Sequence, residues 1–361
     1  MKATLPRLTA LVALAVTLSG CASTPARTPV FSPLTEVARS ERQWTGIAMT
    51  RDGRLFVNYP RWSDQVPFSV GELQPDGSVL PYPDPEMNRW EPGLDPATHL
   101  VCVQSVVVDE WGFLWILDPA NPKFQGVVPG GPKLLKVDPG SGRVLQTIRY
   151  AAPVIDGNSY LNDVRIDPVR RVAYLTDSGS GALVVTDLVS GVSRRLLASD
   201  PSTHSERVTL VIEGRPWRRP DGSLPSVHAD GIALDSKGEY LYYQALTGRT
   251  LYRIPTSSLR DPQLSAAELS AKVERVGDTG AADGLWFGSD GRLYLSAIEE
   301  NAVKVFVPGQ KPEIVVQSPE LDWPDSFAQG PDGSIFVTAS QINRGPNPGT
   351  PYRIFRFRPN R

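Results

Sequence analysis

The sequence predicts an all-β protein, a six-bladed β-propeller, on two observations. Segments of strand character recur along almost the whole chain, with very little helical periodicity between them. One pattern also occurs six times: a polar residue, a short alternating apolar run, a turn and an aromatic strand. Such repeats indicate four-stranded blades arranged around an axis, and six blades close a ring.

The repeat has a regular spacing. Its first polar residue and its aromatic residue are 11 or 12 positions apart, and successive aromatic residues are roughly 40 to 70 positions apart. In chain order the pairs are Thr45 and Phe56, Gln104 and Trp115, Asn162 and Tyr174, Asp230 and Tyr242, Asp283 and Tyr294, and Asp325 and Phe336.

Turns and ends support the same architecture. Asp-Gly pairs at 52–53, 290–291 and 332–333 suit tight hairpins, so these Asp residues are interpreted as structural. The alternating segment 352–358 predicts a last strand that pairs with N-terminal chain. One helix is predicted near residues 262–273, where Ser265 and Glu268 form a capping box. The insertion 199–227 is expected to project from one face.

Residues 1–20 are predicted to be an export signal. Lys2 and Arg7 precede an apolar run from Leu8 to Leu18, which is too short for a transmembrane helix. The following Leu-Ser-Gly-Cys resembles a bacterial lipobox and predicts acylation of Cys21. An ordinary signal with a chance cysteine is the alternative.

This N-terminal pattern divides the chain into three parts. Residues 21–40, rich in Ser, Thr and Pro, are predicted to be a lipidated tether, and residues 41–361 the propeller. Because Ala22 follows the cysteine, the expected location is the cell envelope, at the periplasmic face of the outer membrane, or secretion.

Composition narrows the expected partners. The formal net charge is −2 and basic residues form no stripe, so no nucleic-acid partner is predicted, and a monomer is expected. Cys102, in an apolar strand, is predicted to be a buried, inert thiol. With three histidines and no cysteine pair after export, a zinc site of the usual kind is disfavoured.

The six leading polar residues of the repeats are the candidate site. In a propeller the innermost strand of each blade borders the central channel, so these residues are predicted to converge on one mouth. The competing interpretation, that they merely bond the backbone at strand starts, fits each one singly but not six in register. The predicted ring is Thr45, Gln104, Asn162, Asp230, Asp283 and Asp325.

Three carboxylates in one ring require compensation. Two carboxylates about 6 Å apart repel by roughly 3 kcal/mol at an effective dielectric constant of 20. One of them is therefore expected to be protonated, or a cation is expected among them. Oxygen ligands alone suit Ca²⁺ or Mg²⁺, and an organic cation would satisfy the same charge.

These motifs resemble the yellow/major royal jelly protein family over about residues 42–358. The resemblance implies a secreted six-bladed propeller, and some members bear on pigmentation or bind biogenic amines in the channel. It rests on several long segments in the family's order: 45–48, 103–109, 160–165, 229–234 and 246–256.

A more distant resemblance is to the senescence marker protein/gluconolactonase propellers, which hydrolyse lactones with one divalent ion. By blade order it implies metal ligands at Asn162, Asp230 and Asp283, with Asp283 also catalytic. Thr45 stands where that family has a glutamate ligand, so the chain departs from the pattern there.

Three functions remain open. A divalent-metal-dependent lactonase or esterase would use Asp283 to activate water. A binding protein would hold an amine or small polar ligand through Asp325, Gln104 and Thr45. Trp323 or Trp217 from the rim would stack on that ligand. A scaffold would bind a partner protein through its loops.

Overall fold

The structure, a computed structural model, describes Met1 and residues 33–219, 221–345 and 348–359. The described residues contain six four-stranded antiparallel sheets and one two-stranded hairpin. The strands are β1 (Thr35–Ser40), β2 (Ile47–Met49), β3 (Leu55–Asn58), β4 (Val70–Leu73), β5 (Val79–Pro81), β6 (Ser105–Val108), β7 (Leu114–Asp118), β8 (Lys133–Val137), β9 (Val144–Arg149), β10 (Leu161–Asp167), β11 (Val172–Asp177), β12 (Ala182–Asp187), β13 (Ser193–Leu196), β14 (Val211–Ile212), β15 (Arg215–Pro216), β16 (Ala229–Leu234), β17 (Tyr240–Ala245), β18 (Thr250–Pro255), β19 (Glu274–Asp278), β20 (Ala282–Phe287), β21 (Leu293–Ala297), β22 (Ala302–Phe306), β23 (Glu313–Gln317), β24 (Pro324–Gln329), β25 (Ile335–Ala339) and β26 (Tyr352–Phe357).

The six sheets form a closed ring, so the predicted six-bladed propeller is confirmed. Blades 1 to 5 are β2–β5, β6–β9, β10–β13, β16–β19 and β20–β23, and blade 6 is β24–β26 with β1. The first strand of each blade contacts the first strand of the next, and β24 contacts β2. These innermost strands therefore surround the central axis.

Blade 6 joins the two ends of the propeller. Strand β26 pairs with β1, with Ser40 opposite Tyr352, which confirms the predicted pairing of the last strand with N-terminal chain. However, β1 lies within residues 21–40, which were predicted to be a tether, so the fold begins before residue 41. Of this strand only Ala38 is buried, and this single apolar contact gives β1 a weak sequence signal.

Apolar side chains fill the space between neighbouring blades. The aromatic residue of each repeat is buried there, from Phe56 in the blade 1–2 cluster to Phe336 in the blade 6–1 cluster. Each such ring removes about 150–250 Å² from water, so the six inter-blade layers constitute the core. Cys102 is also buried, as predicted, and burial raises the pKa of its thiol to about 12.

Turns and helices largely follow the sequence pattern. Gly53, Gly291 and Gly333 have φ of 90°, 75° and 79°, as the Asp-Gly turns require. The predicted capping box of Ser265 and Glu268 begins a helix, which is shorter than expected. The helices are α1 (Pro85–Asn88), α2 (Thr256–Arg260) and α3 (Ala266–Ser270), with 3₁₀ turns at Pro122–Phe124, Pro201–Thr203 and Ile342–Arg344.

The insertion 199–227 does not simply project. Its hairpin, β14–β15, and Trp217 pack on an apolar cluster that includes Leu246, Ile298 and Trp323. It therefore covers one face of blades 4 to 6. No helix within the described residues is long and apolar enough to span a membrane. The predicted signal segment and Cys21 lie outside the described residues.

Candidate functional site

Four of the predicted ring residues lie in β-bulges. The pairing of the two inner strands shifts register between Leu161 and Val164 in blade 3, and equivalent shifts occur in blades 4, 5 and 6. A bulge leaves a residue unpaired and changes the direction of its side chain. The bulges contain Asn162, Asp230, Asp283 and Asp325.

Close contact between blades explains why glycine follows Asp230 and Asp283. A Cβ on Gly231 would lie 2.3 Å from the carbonyl oxygen of Asp283, and one on Gly284 would lie 2.0 Å from that of Asp325. No side chain fits at these separations. The Asp-Gly pairs of the inner strands therefore hold each bulge against the next blade, unlike the Asp-Gly pairs of the turns.

A directed chain of hydrogen bonds connects blades 1 to 4. The Trp62 Nε1–H donates to the hydroxyl of Tyr160, which donates to Gln104 Oε1, at 2.8 and 2.9 Å. Gln104 Nε2 donates to Asn162 Oδ1 at 3.2 Å, and Asn162 Nδ2 donates to Asp230 Oδ2 at 2.7 Å. The indole nitrogen can only donate, and the Tyr160 hydroxyl in turn donates to Gln104 Oε1, so the bonds run in one direction. Asn162 consequently presents its NH₂ group to Asp230.

The three ring aspartates are buried and acidic groups surround them. Burial first, and then the charges of Asp283, Asp163 and Asp325, raise the pKa of Asp230 well above its usual range. Burial and the Asp283 charge likewise raise the pKa of Asp325. The pKa of Asp283 rises to about 7, mainly through burial, although a hydrogen bond from Trp323 opposes the rise. The protonation state of Asp283, and with it the charge of the ring, therefore changes near neutral pH.

Trp323 occupies a different place from the one predicted. Its ring is fully buried, and its Nε1–H donates to Asp283 Oδ2 at 2.6 Å. Trp217 covers it, with the ring centroids 4.8 Å apart. Its φ of 57° is left-handed, a strained conformation that the surroundings must hold. In this arrangement Trp323 positions a carboxylate, and its ring is not available for stacking on a ligand.

Thr45 is the ring residue with the least connection to the others. Its side chain is buried and accepts a hydrogen bond from Asn58 Nδ2 at 2.9 Å, and its carbonyl accepts one from Thr338. The first bond lies within blade 1, and the second links blade 1 to blade 6. The structure thus connects Gln104, Asn162 and the aspartates, whereas Thr45 contributes to the contact between blades 1 and 6.

The open volume of the channel lies beside the ring rather than at it. A cavity of about 380 Å³ contains none of the six predicted ring residues. It begins one residue further along the strands, at Ser105, Asp163 and Ser326, and extends to the far ends of the innermost strands. Its wall also includes partly exposed apolar side chains, among them Met49, Val107, Ile166 and Trp286.

Asp163 and Arg165 form the inner end of this cavity and were not predicted as site residues. Asp163 Oδ1 accepts from Ser105 Oγ at 2.7 Å, and its Oδ2 lies 3.3 Å from Arg165 Nη2. The sequence offered one signal, since the carboxylate Asp163 stands where the other repeats have glycine or serine. A strict period of two would place Asn162 and Asp163 on opposite faces, and the bulge brings both towards the channel.

The predicted metal ligands do not form a ready metal site. Among the residues that the structure describes, no three His, Cys, Asp or Glu side chains are grouped to hold an ion. Asn162 presents NH₂ rather than oxygen, and Asp283 Oδ2 accepts from Trp323. Ca²⁺ and Mg²⁺ require free oxygen donors, so the donor set as folded does not fit them.

Comparisons with known proteins place this propeller among relatives. Major royal jelly protein 5 of Apis mellifera is 25% identical over 241 residues, which are 62% of this chain and 36% of that protein. Protein yellow of Drosophila yakuba is 25% identical over 280 residues, 69% of this chain and 48% of that protein. The chain spans less than two thirds of the length of these relatives.

Solved structures share the fold at low identity. A gluconolactonase from Xanthomonas campestris superposes with a TM-score of 0.56 at 14% identity, covering 91% of this chain and 90% of the other. A calcium-binding regucalcin from Agrobacterium tumefaciens gives 0.52 at 14% identity, covering 89% and 93%. Within the sequence, the family model for major royal jelly proteins matches residues 101–350, more than half of the chain. The chain therefore belongs to the major royal jelly protein family.

Proposed function

We propose that the protein binds a small cationic molecule in its central channel. The observation that carries the proposal is the charge balance at the inner end of the cavity. Asp163 lines the cavity there and interacts electrostatically with the ring residues Asp230, Asp283 and Asp325, and Arg165 is the basic residue paired with Asp163. A monovalent cation would lower the mutual repulsion of these groups.

The cavity wall suggests the rest of the ligand. Met49, Val107, Ile166 and Trp286 offer apolar surface. The hydroxyl groups of Ser105, beside Asp163, and of Ser326, beside Asp325, are polar. A volume of about 380 Å³ suits a molecule with a compact apolar body. The ligand class is therefore an amine whose ammonium group faces Asp163 and whose hydrocarbon part lies along the wall.

A matched pair of ligands tests the proposal. We expect 2-phenylethylamine to bind saturably in calorimetry, and 2-phenylethanol, which has the same shape without the charge, to bind at least about tenfold more weakly. Asp163→Asn should weaken the binding of the amine and leave the binding of the alcohol unchanged. Equal affinities for the two ligands would refute a cation site.

A lactonase is the second candidate, favoured by one observation. Asp283 is buried and its pKa is about 7, which suits a general base at neutral pH. The sequence predicts Ca²⁺ or Mg²⁺ for this activity. Elemental analysis of the purified protein, together with a screen of small lactones with and without chelator, tests it; turnover that chelator abolishes would support this candidate over binding.

We further propose that the chain is exported and anchored by a lipid on Cys21, facing the periplasm, and acts as a monomer. The support is the lipobox-like Leu-Ser-Gly-Cys after the apolar run 8–18. Metabolic labelling with a fatty acid should mark the wild type and spare Cys21→Ala. Labelling of both chains alike would reject the anchor.

A further inference from the structure

The Asp163–Arg165 pair lies at the most acidic point of the channel. Asp163 interacts electrostatically with Asp230, Asp283 and Asp325, so it is the carboxylate that all three ring aspartates share. The Arg165 guanidinium lies 3.3 Å from it. A positive charge is thus built into the chain where the negative charges meet.

Arg165 is held firmly in that position. Its Nη1 donates to the Val164 carbonyl and its Nη2 to the Leu285 carbonyl, both at 2.7 Å. Val164 belongs to blade 3 and Leu285 to blade 5, so the side chain crosses part of the channel below the ring. It also forms part of the cavity lining. The guanidinium therefore lies at the cavity, beside the carboxylate that the three ring aspartates share.

One oxygen of each ring carboxylate already has a donor from the chain. Asp230 accepts from Asn162 and Asp283 from Trp323, while Asp325 accepts from Ser326 Oγ at 2.9 Å. The bond directions that begin at Trp62 keep the Asn162 NH₂ group towards Asp230, so its oxygen cannot turn there without breaking the chain of bonds. Each ring carboxylate thus keeps a second oxygen, and the positive charge of Arg165 beside Asp163 is the main obstacle to a divalent ion.

We propose that Arg165 is the resident cation of this channel and excludes divalent metal ions from it. In a site built from carboxylates and an amide, the guanidinium takes the place that a metal ion would have. An ammonium group needs one carboxylate acceptor, whereas a divalent ion needs several free oxygen ligands, so the inference does not depend on the proposed ligand.

The test uses the full chain and three divalent ions. Purified wild type should show no saturable heat with CaCl₂, MgCl₂ or MnCl₂, and no rise in Tm beyond that in NaCl of equal ionic strength. Arg165→Gln leaves Asp163 without its cation, so its Tm should rise with CaCl₂ and its affinity for a divalent ion should be at least about tenfold higher.

Three variants separate charge from packing. Arg165→Lys keeps the positive charge and should behave as wild type, and the double variant Asp163→Asn, Arg165→Gln should lose the gain. Arg253→Gln, which removes a partly exposed ion pair with Glu274 away from the channel, is the matched control and should gain nothing.

Two results would overturn the inference. One is a stoichiometric divalent ion in the purified wild type. The other is a folded Arg165→Gln that responds to CaCl₂ no more than Arg253→Gln does. If Arg165→Gln does not fold, two other measurements test the inference: the ion content of the wild type and the response of Arg165→Lys to CaCl₂. A divalent ion bound to either protein refutes the inference, and its exclusion from both supports the inference.

Discussion

At the scale of single residues, two opposing effects set the charge of Asp283. Burial disfavours its carboxylate, whereas the hydrogen bond from Trp323 stabilises the carboxylate. The balance leaves the pKa near neutrality, so a small change at Trp323 should alter the charge of the channel at working pH.

Replacing Trp323 with phenylalanine tests this balance. Trp323→Phe keeps an aromatic ring but removes the Nε1–H, so the pKa of Asp283 should rise above about 7. The pH at which amine binding reaches half of its full strength should then rise by about one unit. Calorimetry across pH measures this shift. Trp217→Phe, which alters the neighbouring ring without a bond to Asp283, should leave the profile in place.

The same residue predicts how stability depends on pH. Because its pKa is raised on folding, folded Asp283 binds more protons than unfolded Asp283 between about pH 4 and pH 7. Its contribution to the free energy of unfolding therefore falls as pH rises through that window. Asp283→Asn should gain about 2 kcal/mol at pH 8 relative to wild type and little at pH 4.

Denaturant titrations at both pH values measure the difference. Asp332 provides a control of opposite sign, because hydrogen bonds with Ser334 and the charge of Arg358 lower its pKa to about 2. Asp332→Asn should lose stability near neutral pH. Parallel pH profiles for wild type and Asp283→Asn would show that the Asp283 pKa is not raised by folding.

Sequence reasoning found part of the site at this scale. The repeat register predicted Gln104, Asn162, Asp230, Asp283 and Asp325, which the structure brings together. It missed Asp163 and Arg165, because their direction depends on a bulge that period-two alternation does not anticipate. It also predicted an exposed Trp323, and the packing of a distant insertion decides that exposure.

At the scale of structural elements, the bulges of the innermost strands hold the aspartates against neighbouring blades. Gly231 and Gly284 allow this approach because they have no Cβ. The short inner strands thus contribute both to blade contact and to the position of the charges.

Alanine at Gly231 should therefore disturb fold and site together. A Cβ would meet the Asp283 carbonyl at 2.3 Å, so Gly231→Ala should lose about 2–4 kcal/mol of unfolding free energy and weaken amine binding. Thermal and denaturant unfolding measure the loss. Gly157→Ala is the matched control, since a Cβ there meets nothing within 4 Å, and a loss as large in it would remove the steric explanation.

At the scale of the whole molecule, ring closure depends on β1. The strand completes blade 6 by pairing with β26, and without it β26 becomes an unpaired edge. A chain that begins at Glu41 should have a free energy of unfolding about 2–4 kcal/mol lower than a chain that begins at Pro33. It should also aggregate more readily, because β26 is then an exposed edge. Equal unfolding curves for the two chains would show that β1 is dispensable.

The fold was predictable at this scale because one sequence pattern occurs in every blade. Six independent occurrences of one polar-to-aromatic spacing, each weak alone, predicted the number of blades and their inner strands. The extent of blade 6 was harder to predict from the sequence. Strand β1 contributes one buried side chain, and the Ser, Thr and Pro residues before it suggested a tether. The location of the cavity depends on the whole ring and had no local signal.

The central claim is that the channel recognises positive charge. Its most direct test is a calorimetric titration of the full chain with 2-phenylethylamine at about pH 8 and about pH 6, beside Asp283→Asn. We expect saturable binding at the higher pH, about tenfold weaker binding at the lower pH as Asp283 is protonated, and little pH dependence in Asp283→Asn. Binding that is equally strong at both pH values, or a wild-type profile retained in Asp283→Asn, would contradict it.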